Sequence, residues 1–413
     1  MATICLISPG HLTSNPRLVK EADALSAAGH AVRVIHGRSF PPHDDEDQRL
    51  NGRGWHVTAR VPFGVLAPPP LRWRQRLRQR LAALPARAGW LPPALEHRAW
   101  HPAASELVRA ALAVPADLYV AHYPAALPAA ALAARRHGSA YAFDAEDFHP
   151  GDWPDAAPLA ARRRVLDALE RRWLPGCCYV TAASPGIAEA YASHYGIRQP
   201  TVVRNVFPRA QAPAAPSPRG SYADRPSLYW FSQTIGPDRG LEQAIEAIAI
   251  SGTRPLLVLR GICTDAYRQQ LEQRAAAAGV SDQLRFLPHA SPNRMEALAS
   301  EHDLGLVAET GHTPNRRVAL TNKLYTYALA GVPALISDIP AHCRYAAEAG
   351  RAVRLFRTGD AASLAGAIDH FLADSGTKLA SAREAAFSLG QSELNWERES
   401  AVLTACVAEG LRP

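Results

Sequence analysis

The sequence predicts two α/β domains, each with a doubly wound parallel sheet that carries helices on both faces. Apolar strand patterns alternate with helical patterns through both halves of the chain, which is typical of parallel sheets. A stretch rich in alanine, proline and serine, residues 209–226, separates the halves and has the composition of a linker. At 413 residues the chain is too long for one typical core. We therefore predict domains at 1–208 and 227–390, followed by a helical terminal segment at 391–413.

The first half opens with a strand–helix–strand unit. Thr3–Ser8 is an unbroken apolar strand of the kind that is buried on both faces of a parallel sheet. The loop that follows can cap a helix at Asn15 or at the serine before it, and Ala31–Gly37 is the second strand. Ligands of doubly wound sheets bind beyond the carboxyl ends of the strands, so the loop around Gly10 lies at a ligand-binding edge. Residues 41–54 are acidic and polar, and we expect a loop there.

A basic stretch that contains tryptophan follows at residues 66–101. Its apolar residues recur at helical spacing with arginines outside the stripe; the apolar set is Leu71, Trp73, Leu77, Leu81 and Leu84, and the arginines are Arg72, Arg76, Arg80 and Arg87. A basic amphipathic helix with tryptophan is typical of membrane-surface segments, which makes an anionic membrane a candidate partner of residues 71–87. A solvated basic face over a small core is the alternative, and both stay open. No nucleic-acid-binding motif accompanies the charge, so we expect no nucleic-acid partner.

Polar residues follow two further strands of the first half. Asp117–Pro124 is a parallel-type strand with His122 near its carboxyl end. An imidazole there can exchange a proton or hydrogen-bond a substrate hydroxyl, and a purely structural histidine is the alternative. The next strand leads into an acidic loop that groups Asp144, Glu146, Asp147 and His149. Such carboxylates can accept hydrogen bonds from sugar hydroxyls or cap the next helix.

The second half repeats the alternation of strand and helix patterns, with apolar strand patterns at residues 227–233, 255–261, 283–289, 303–309 and 334–338. Its most informative stretch is Asn315–Pro333, in which a basic loop leads into an apolar helical segment that ends at Gly331. Thr321 or Asn322 can cap the helix start. Lys323 then lies in the first turn, where unpaired backbone N–H groups attract anions. The stretch is either a phosphate site or an ordinary helix with a solvated lysine.

Composition and missing motifs narrow the range of functions. The formal net charge of +7 and the isoelectric point of about 9.2 favour anionic partners. The six cysteines show no C-x-x-C spacing, so we expect reduced thiols, no zinc site and a cytosolic protein. We also expect no signal peptide and no membrane span. The lack of a Walker P-loop, of G-x-G-x-x-G after either first strand and of G-x-S-x-G argues against P-loop NTPases, dehydrogenases and α/β-hydrolases.

Two such domains on one linker leave a cleft that the carboxyl-end loops of both sheets can face. The second domain would contribute the loops at Gly236–Gly240, Pro288–His289, Glu309 and Asn315–Lys323. Arg239 and Lys323 each precede or open a helix, so each can bind a diphosphate together with helix N–H groups. In that position both cations would neutralise a departing diphosphate.

These motifs resemble the family-4-like, retaining glycosyltransferases of the GT-B fold, which use nucleotide sugars. The resemblance covers nearly the whole chain and lies in SPGHLTSNPRLVKEADALSAAGHAVRVI, DLYVAHY, VVRNVFP, FSQTIGPDRGLEQAI, RFLPH and NKLYTYALAGVPALISD. It implies two Rossmann-like domains facing a central cleft, with the acceptor bound by the first domain and the nucleotide-sugar donor by the second. It also implies that no metal cofactor is needed and that the terminal helix packs on the first domain.

The resemblance assigns residue roles as well. The residues expected at the reaction centre are His122, Arg239, Lys323 and Glu309. The residues expected around the donor are Gly10, Gln233, Gly236, Pro288, His289, Asn322 and Thr326. The residues expected on the acceptor side are His11, Asn15, Asp144, Glu146 and Asp147. In these roles His122 would hydrogen-bond the donor sugar, and Arg239 and Lys323 would hold the leaving diphosphate.

Three positions depart from the pattern of the family. The family commonly carries two glutamates eight positions apart, and these fall on Val318 and Thr326 in this chain. Glu309, just upstream, is the candidate replacement for the first glutamate. The arginine that usually precedes the diphosphate turn falls on Gln233, and Lys323 is the candidate source of the missing charge.

The expected reaction is sugar transfer to an acceptor hydroxyl with retained anomeric configuration, of the kind used in polysaccharide biosynthesis. The acceptor is expected to be a glycan, a lipid-linked sugar or a small molecule. The enzyme is expected in the cytoplasm or as a peripheral protein at the inner face of the membrane. A sugar-nucleotide epimerase of the same fold and a non-catalytic relative that binds sugar nucleotides or polysaccharide are the open alternatives.

Overall fold

The computed structural model of the protein describes residues 1–50, 52–93, 95–154, 156–373 and 376–412. The chain divides into two compact units, of which the first comprises Met1–Val203 with Ser400–Pro413 and the second comprises Arg204–Glu399. Part of the stretch predicted as a linker, residues 209–226, is anchored within the second unit. The backbone N–H of Gly220 donates to Asp303 Oδ1 at 2.8 Å, and the N–H of Ser221 donates to the carbonyl of Glu301 at 2.7 Å.

The first unit contains a seven-stranded sheet in which every pairing is parallel. Its strands are β1 (Thr3–Ser8), β2 (Ala31–Arg38), β3 (His56–Pro62), β4 (Leu118–His122), β5 (Ala140–Ala145), β6 (Val180–Ala182) and β7 (Thr201–Val202). Their order across the sheet is β3-β2-β1-β4-β5-β6-β7. The order therefore reverses between β1 and β4, which is where a doubly wound sheet opens a crevice at the carboxyl ends of its strands.

The helices of the first unit are α1 (Pro16–Ala27), α2 (Pro41–Gln48), α3 (Pro69–Arg87), α4 (Glu96–Trp100), α5 (Ala104–Leu112), α6 (Leu127–His137), α7 (Ala160–Trp173) and α8 (Pro185–Tyr195). The start of α1 agrees with the predicted cap. Asn15 Oδ1 accepts the backbone N–H of Leu18 at 3.0 Å, and Pro16 occupies the first helical position.

The prediction of a loop at residues 41–54 is wrong for the first half of this stretch, which forms α2. Asp47 near the end of this helix holds it against the loop after β1. Its Oδ1 accepts the backbone N–H of Thr13 at 2.8 Å, and its Oδ2 lies 2.8 Å from His11 Nδ1. These tertiary contacts stabilise a helix whose own sequence, with three aspartates and a histidine, favours helix only weakly.

The second unit contains a six-stranded parallel sheet. Its strands are β8 (Ser227–Ile235), β9 (Leu256–Cys263), β10 (Leu284–Leu287), β11 (Leu304–Val307), β12 (Ala334–Ser337) and β13 (Val353–Phe356). The order β10-β9-β8-β11-β12-β13 reverses between β8 and β11. The two sheets confirm the predicted pair of doubly wound α/β domains.

The remaining helices are α9 (Leu241–Ile250), α10 (Asp265–Ala277), α11 (Met295–Ser300), α12 (Pro314–Val318), α13 (Asn322–Ala330), α14 (Pro340–Ala349), α15 (Ala361–Leu372), α16 (Thr377–Ser392) and α17 (Trp396–Gly410). From Ser400 onward α17 belongs to the first unit, where Val407 is buried in the same apolar core as Ile4 and Leu118. Within the described ranges, no helix is both long and apolar enough to cross a membrane.

Candidate functional site

The loops after β8 and β11 meet where the sheet of the second unit changes its strand order. Gly240, in the loop after β8, has a φ of +68°. A Cβ atom at this position would lie only 2.5 Å from the backbone oxygen of Ala308, which follows β11. Glycine therefore lets the two loops pack closely. This packing brings Arg239 next to Glu309 at the ligand-binding edge of the sheet.

Three cations surround the buried carboxylate of Glu309. Arg239 NH1 lies 3.9 Å and Lys323 Nζ lies 3.8 Å from Glu309 Oε1, and Arg316 NH1 lies 3.7 Å from Oε2. These distances are too long for hydrogen bonds, so the cations act on Glu309 through charge alone. Within the described part of the chain, Glu309 is the only acidic partner of the three. The cluster thus carries an excess of positive charge, which suits an anionic ligand.

Lys323 is held in this cluster by its surroundings. It is only 7% exposed, and its Nζ lies 5.0 Å from the ring centre of Trp230, a cation–π distance. The interpretation of Lys323 as a solvated helix residue is therefore wrong. Of the two residues predicted to cap α13, Thr321 occupies the N-cap position. Its side chain accepts no backbone hydrogen bond there.

The charges in the cluster shift one another's pKa values. Burial lowers the pKa of Lys323 to about 8; Glu309 opposes the shift, while Arg239 and Arg316 add to it. Burial alone would raise the pKa of Glu309, but Lys323, Arg316 and Arg239 hold it below its usual range. His342, which is also buried here, has its pKa lowered to about 4 by burial and is neutral near pH 7. A negative ligand would favour the charged form of Lys323.

Arg316 is the member of the cluster that sequence reasoning missed. It belongs to α12, whose N-cap Thr313 accepts the backbone N–H of Arg316 at 3.3 Å. Its neighbour Arg317 turns away, and its Nε donates to the carbonyl of Gly311 at 2.9 Å. The pair of arginines before α13 was the available signal, but only the fold shows which of them faces Glu309.

The other predicted donor residues lie in different settings. Thr326 is fully buried, and its hydroxyl donates to Glu296 Oε1 of α11 at 2.9 Å. Glu296 was also missed, because it lies outside the motif segments. Three predicted positions, Gln233, Pro288 and His289, are accessible on loops or strand ends around the sheet edge. A fourth, Asn322, is accessible as the first residue of α13. The carbonyl of Pro288 accepts a hydrogen bond from Arg260 NH1 at 3.0 Å. Gly236 is half-buried, and Val318 ends α12.

The corresponding edge of the first unit holds a second charged cluster, at the carboxyl ends of β4 and β5. His122 is completely buried, and its Nε2 lies 2.9 Å from Glu21 Oε2. Its Nδ1 lies 3.4 Å from Asp144 Oδ2 and 3.8 Å from Glu146 Oε1. Arg17 makes a two-pronged contact with Asp144, with Nε and NH2 donating at 2.6 and 2.7 Å. Two cations and three carboxylates thus share one buried volume.

Carboxylates set the charge state of His122. Burial alone would lower its pKa, but the contacts with Glu146, Glu21 and Asp144 raise it to about 10. The raised pKa favours the imidazolium form of His122 near pH 7, and this form cannot accept a proton. The ligand atoms of His122, Asp144 and Glu146 lie within 4.8 Å of one another, a spacing compatible with a metal. Because both oxygens of Asp144 accept hydrogen bonds from Arg17, this donor set fits an ion-pair network better than a metal site.

Most of the residues predicted on the acceptor side are occupied by internal contacts. His11 Nε2 accepts the backbone N–H groups of Ser39 and Phe40 at 2.8 and 3.0 Å, while its Nδ1 faces Asp47. Asn15 caps α1. Gly10, which was predicted on the donor side, follows β1, and its N–H donates to Ser8 Oγ at 3.3 Å. Glu146 is more accessible, with its side chain 14% exposed, and accepts the hydroxyl of Tyr123 at 2.9 Å. Asp147, next in the chain, is half-buried.

Family comparisons match both units. The model of the "Glycosyl transferase 4-like domain" matches residues 14–206, and that of the "Glycosyl transferases group 1" matches residues 219–388. The chain therefore belongs to the family-4-like glycosyltransferases of the GT-B fold. Among curated proteins, none matches this chain.

Solved structures share the fold over nearly the full length. HepE of Anabaena, in complex with UDP and glucose, is 16% identical with a TM-score of 0.72, and the match covers 99% of this chain and 100% of that one. Sucrose-phosphate synthase from Thermosynechococcus elongatus is 16% identical with a TM-score of 0.71, covering 99% of each chain. WaaG, a glycosyltransferase of lipopolysaccharide biosynthesis, is 15% identical with a TM-score of 0.58, covering 97% of this chain and 99% of that one.

Proposed function

We propose that the protein transfers a sugar from a nucleotide-diphosphate donor to an acceptor hydroxyl, with the donor diphosphate held by Arg239, Arg316 and Lys323. The observation that carries the proposal is the cluster of three cations around Glu309 at the switch point of the second sheet. Positive charge at the carboxyl end of a doubly wound sheet is the arrangement that a diphosphate requires. Family membership supports a nucleotide sugar as the source of that diphosphate.

The cations act most strongly on the leaving group. When the bond between sugar and diphosphate breaks, negative charge accumulates on the diphosphate, and preorganised cations stabilise it without reorganisation. Burial lowers the pKa of Lys323, and a neighbouring anion favours its protonated form. Before the donor binds, Glu309 is that anion. We infer that Glu309 is the counter-ion of the three cations in the free protein and an acceptor for donor hydroxyls once the diphosphate is bound.

We assign His122 a positioning role. Because it is completely buried and protonated, it orders the carboxylates around it, and Glu146 is the accessible edge of that network. Glu146 can then accept a hydrogen bond from a sugar hydroxyl. Transfer with retention, in which the acceptor hydroxyl attacks the face that the diphosphate leaves, remains part of the proposal on the strength of the family resemblance. No metal enters this scheme, since the cluster itself supplies the positive charge.

UDP-glucose is the first donor to test, because HepE, which shares the fold, has been solved in complex with UDP-glucose. The acceptor class is a glycan or a lipid-linked sugar. Binding of a sugar nucleotide without transfer is the second candidate function. It is favoured by the departure at Thr326, whose hydroxyl donates to Glu296 where the family commonly has a glutamate.

Two adjacent arginines provide the test. Arg316→Ala removes a cation from the cluster, whereas Arg317→Ala removes an identical side chain that donates to Gly311. We expect Arg316→Ala to weaken UDP binding in calorimetry and to lower kcat/KM with UDP-glucose by about 10²-fold, and we expect Arg317→Ala to match the wild type. Equal effects of both variants would contradict the assignment of the diphosphate site.

Product analysis then separates the functions. Transfer of labelled glucose to an added acceptor supports the glycosyltransferase. Formation of a new sugar nucleotide without any acceptor identifies an epimerase instead. Tight UDP-glucose binding that Arg316→Ala abolishes, with the sugar nucleotide intact after long incubation with a panel of acceptors, identifies a binding protein.

A further inference from the structure

Helix α3 presents an apolar stripe to solvent. Trp73 is 72% exposed, Leu77 and Leu81 are each 57% exposed, and Leu84 is 51% exposed. At 100° per residue these four side chains lie within one sector of the helix. We call this sector, Trp73 to Leu84, the apolar stripe. Its accessible leucines and tryptophan form a continuous apolar surface, which is uncommon on a protein that remains free of partners.

The opposite face of α3 attaches the helix to the first unit. Gln75, Ala82 and Ala86 are buried, and Gln75 Nε2 donates to the carbonyl of Pro62 at 3.0 Å. Arg78 also lies on this side, where its NH1 donates to Glu106 Oε1 at 3.0 Å. The small core beneath the helix contains Ala82 and Ala86 of α3 together with Ala99 and Val165, whereas the residues of the apolar stripe are exposed. The predicted small core beneath α3 is present, but the apolar stripe faces solvent rather than this core.

Arginines border the apolar stripe. Along one edge lie Arg72, Arg76, Arg80 and Arg87, and Arg74 lies at the other edge. Within the ranges that the structure describes, these five arginines form no ion pair. A groove of about 460 Å³ adjoins the stripe, with Leu77, Leu81 and Leu95 as its apolar lining and Arg74, Arg78 and Arg98 around it. Apolar surface edged by cations matches a ligand with an acyl part and an anionic headgroup.

We propose that α3 lies in the interface of an anionic phospholipid membrane, with the apolar stripe at the boundary of the acyl chains and the bordering arginines among the headgroups. Charge complementarity favours this occupant over a second copy of the chain. Helix α3 contains no acidic residue, so a second α3 packed along the same face would offer no carboxylate to these arginines. The proposal does not depend on which sugar or donor the protein uses.

Co-sedimentation with vesicles tests the proposal on the full-length protein. Vesicles of phosphatidylcholine are compared with vesicles that also contain phosphatidylglycerol, at low and high salt. We expect binding to the anionic vesicles only, and we expect high salt to weaken it. Arg76→Glu with Arg80→Glu should lower the partition coefficient by about 10²-fold, since each basic residue near an anionic surface adds to the attraction.

Matched variants keep the test specific. Arg135→Glu with Arg136→Glu makes the same change at two exposed arginines of α6, and it should leave vesicle binding unchanged. Leu77→Ser with Leu81→Ser should abolish vesicle binding. Ile250→Ser with Ile262→Ser changes two exposed apolar residues outside the stripe and should leave vesicle binding unchanged. Every variant is checked for an unchanged thermal unfolding midpoint and unchanged UDP affinity, so a failure of the donor assignment is detected separately.

Three outcomes would overturn the proposal. One is equal partition onto neutral and anionic vesicles. Another is unchanged partition of the Arg76→Glu, Arg80→Glu variant. The third is self-association in light scattering that Leu77→Ser with Leu81→Ser removes while no vesicle binding is seen, since the stripe would then be a contact between copies of the chain.

Discussion

The pH dependence of donor affinity follows from the position of Lys323. Burial lowers its pKa to about 8 in the free protein, and the charges of Arg239 and Arg316 add to that shift. A bound diphosphate favours protonated Lys323 and moves its pKa back towards the ordinary value of about 10.4. The affinity for the donor is therefore highest well below pH 8 and declines as the pH rises through that value. The reason is that the free protein then loses a proton that the complex keeps.

The size of the decline can be worked out. Between the two pKa values each pH unit costs about one factor of ten in Kd, or about 1.4 kcal/mol. From about pH 7 to about pH 10 the Kd for UDP-glucose should rise by about 65-fold, or about 2.5 kcal/mol. The diphosphate of a nucleotide sugar does not titrate in this range. Isothermal titration calorimetry in buffers of different ionisation heat should also detect uptake of almost one proton near pH 9.

Lys323→Arg is the control, because arginine does not titrate below about pH 12. This variant should bind UDP-glucose with an affinity that changes little over the same range, and it would also reveal any contribution from titration of the base. A flat profile for the wild type would refute the reasoning, because Lys323 would then either stay charged without the donor or make no contribution to binding. Identical declines in the wild type and in Lys323→Arg would refute it equally.

Two further predictions concern buried polar contacts. His122→Ala leaves Glu21, Asp144 and Glu146 with Arg17 as their cationic neighbour, and should lower the free energy of unfolding by about 3–5 kcal/mol in urea titrations. Because the folded state raises the pKa of His122 from 6.5 to about 10, its stabilisation is complete below pH 6.5 and is lost as the pH rises through 10, so wild type and variant should converge there. Thr326→Val removes the hydroxyl that donates to Glu296 and should cost about 1–3 kcal/mol while leaving UDP affinity unchanged; a large loss of affinity would instead place Thr326 at the ribose.

The fold could be predicted because its signals are local. The apolar strand at Thr3–Ser8, the cap at Asn15 and the helix end at Gly331 each depend on neighbours in the sequence. The helix α2 could not be found in this way. Its residues are poor helix formers, and the contact that stabilises it joins Asp47 to Thr13, more than thirty positions earlier in the chain.

The candidate site was predictable to the level of the segment but not of the side chain. The sequence predicted that Arg239, Glu309 and Lys323 lie near one edge of a doubly wound sheet. In the structure, Arg239 and Lys323 lie beside the carboxylate of Glu309. Adjacent residues of a helix point about 100° apart, so no pattern could show that Arg316 faces Glu309 while Arg317 does not. Likewise a histidine at a strand end is identifiable, but the carboxylates that enclose His122 come from α1, β5 and the loop after β5.

Helix α3 shows where periodicity ceases to be informative. A stripe of leucines every three or four residues reports that one face is apolar, and the usual inference is that this face meets the core. Here Ala82 and Ala86 let the other face approach the unit closely, and they leave Leu77 and Leu81 on the outside. Exposed leucines are unfavourable in water, and the bordering arginines form no ion pair within the described ranges, so an apolar and anionic surface would suit both. A phospholipid membrane provides both properties at once, which is why the orientation of α3, rather than its composition, supports the proposed partner.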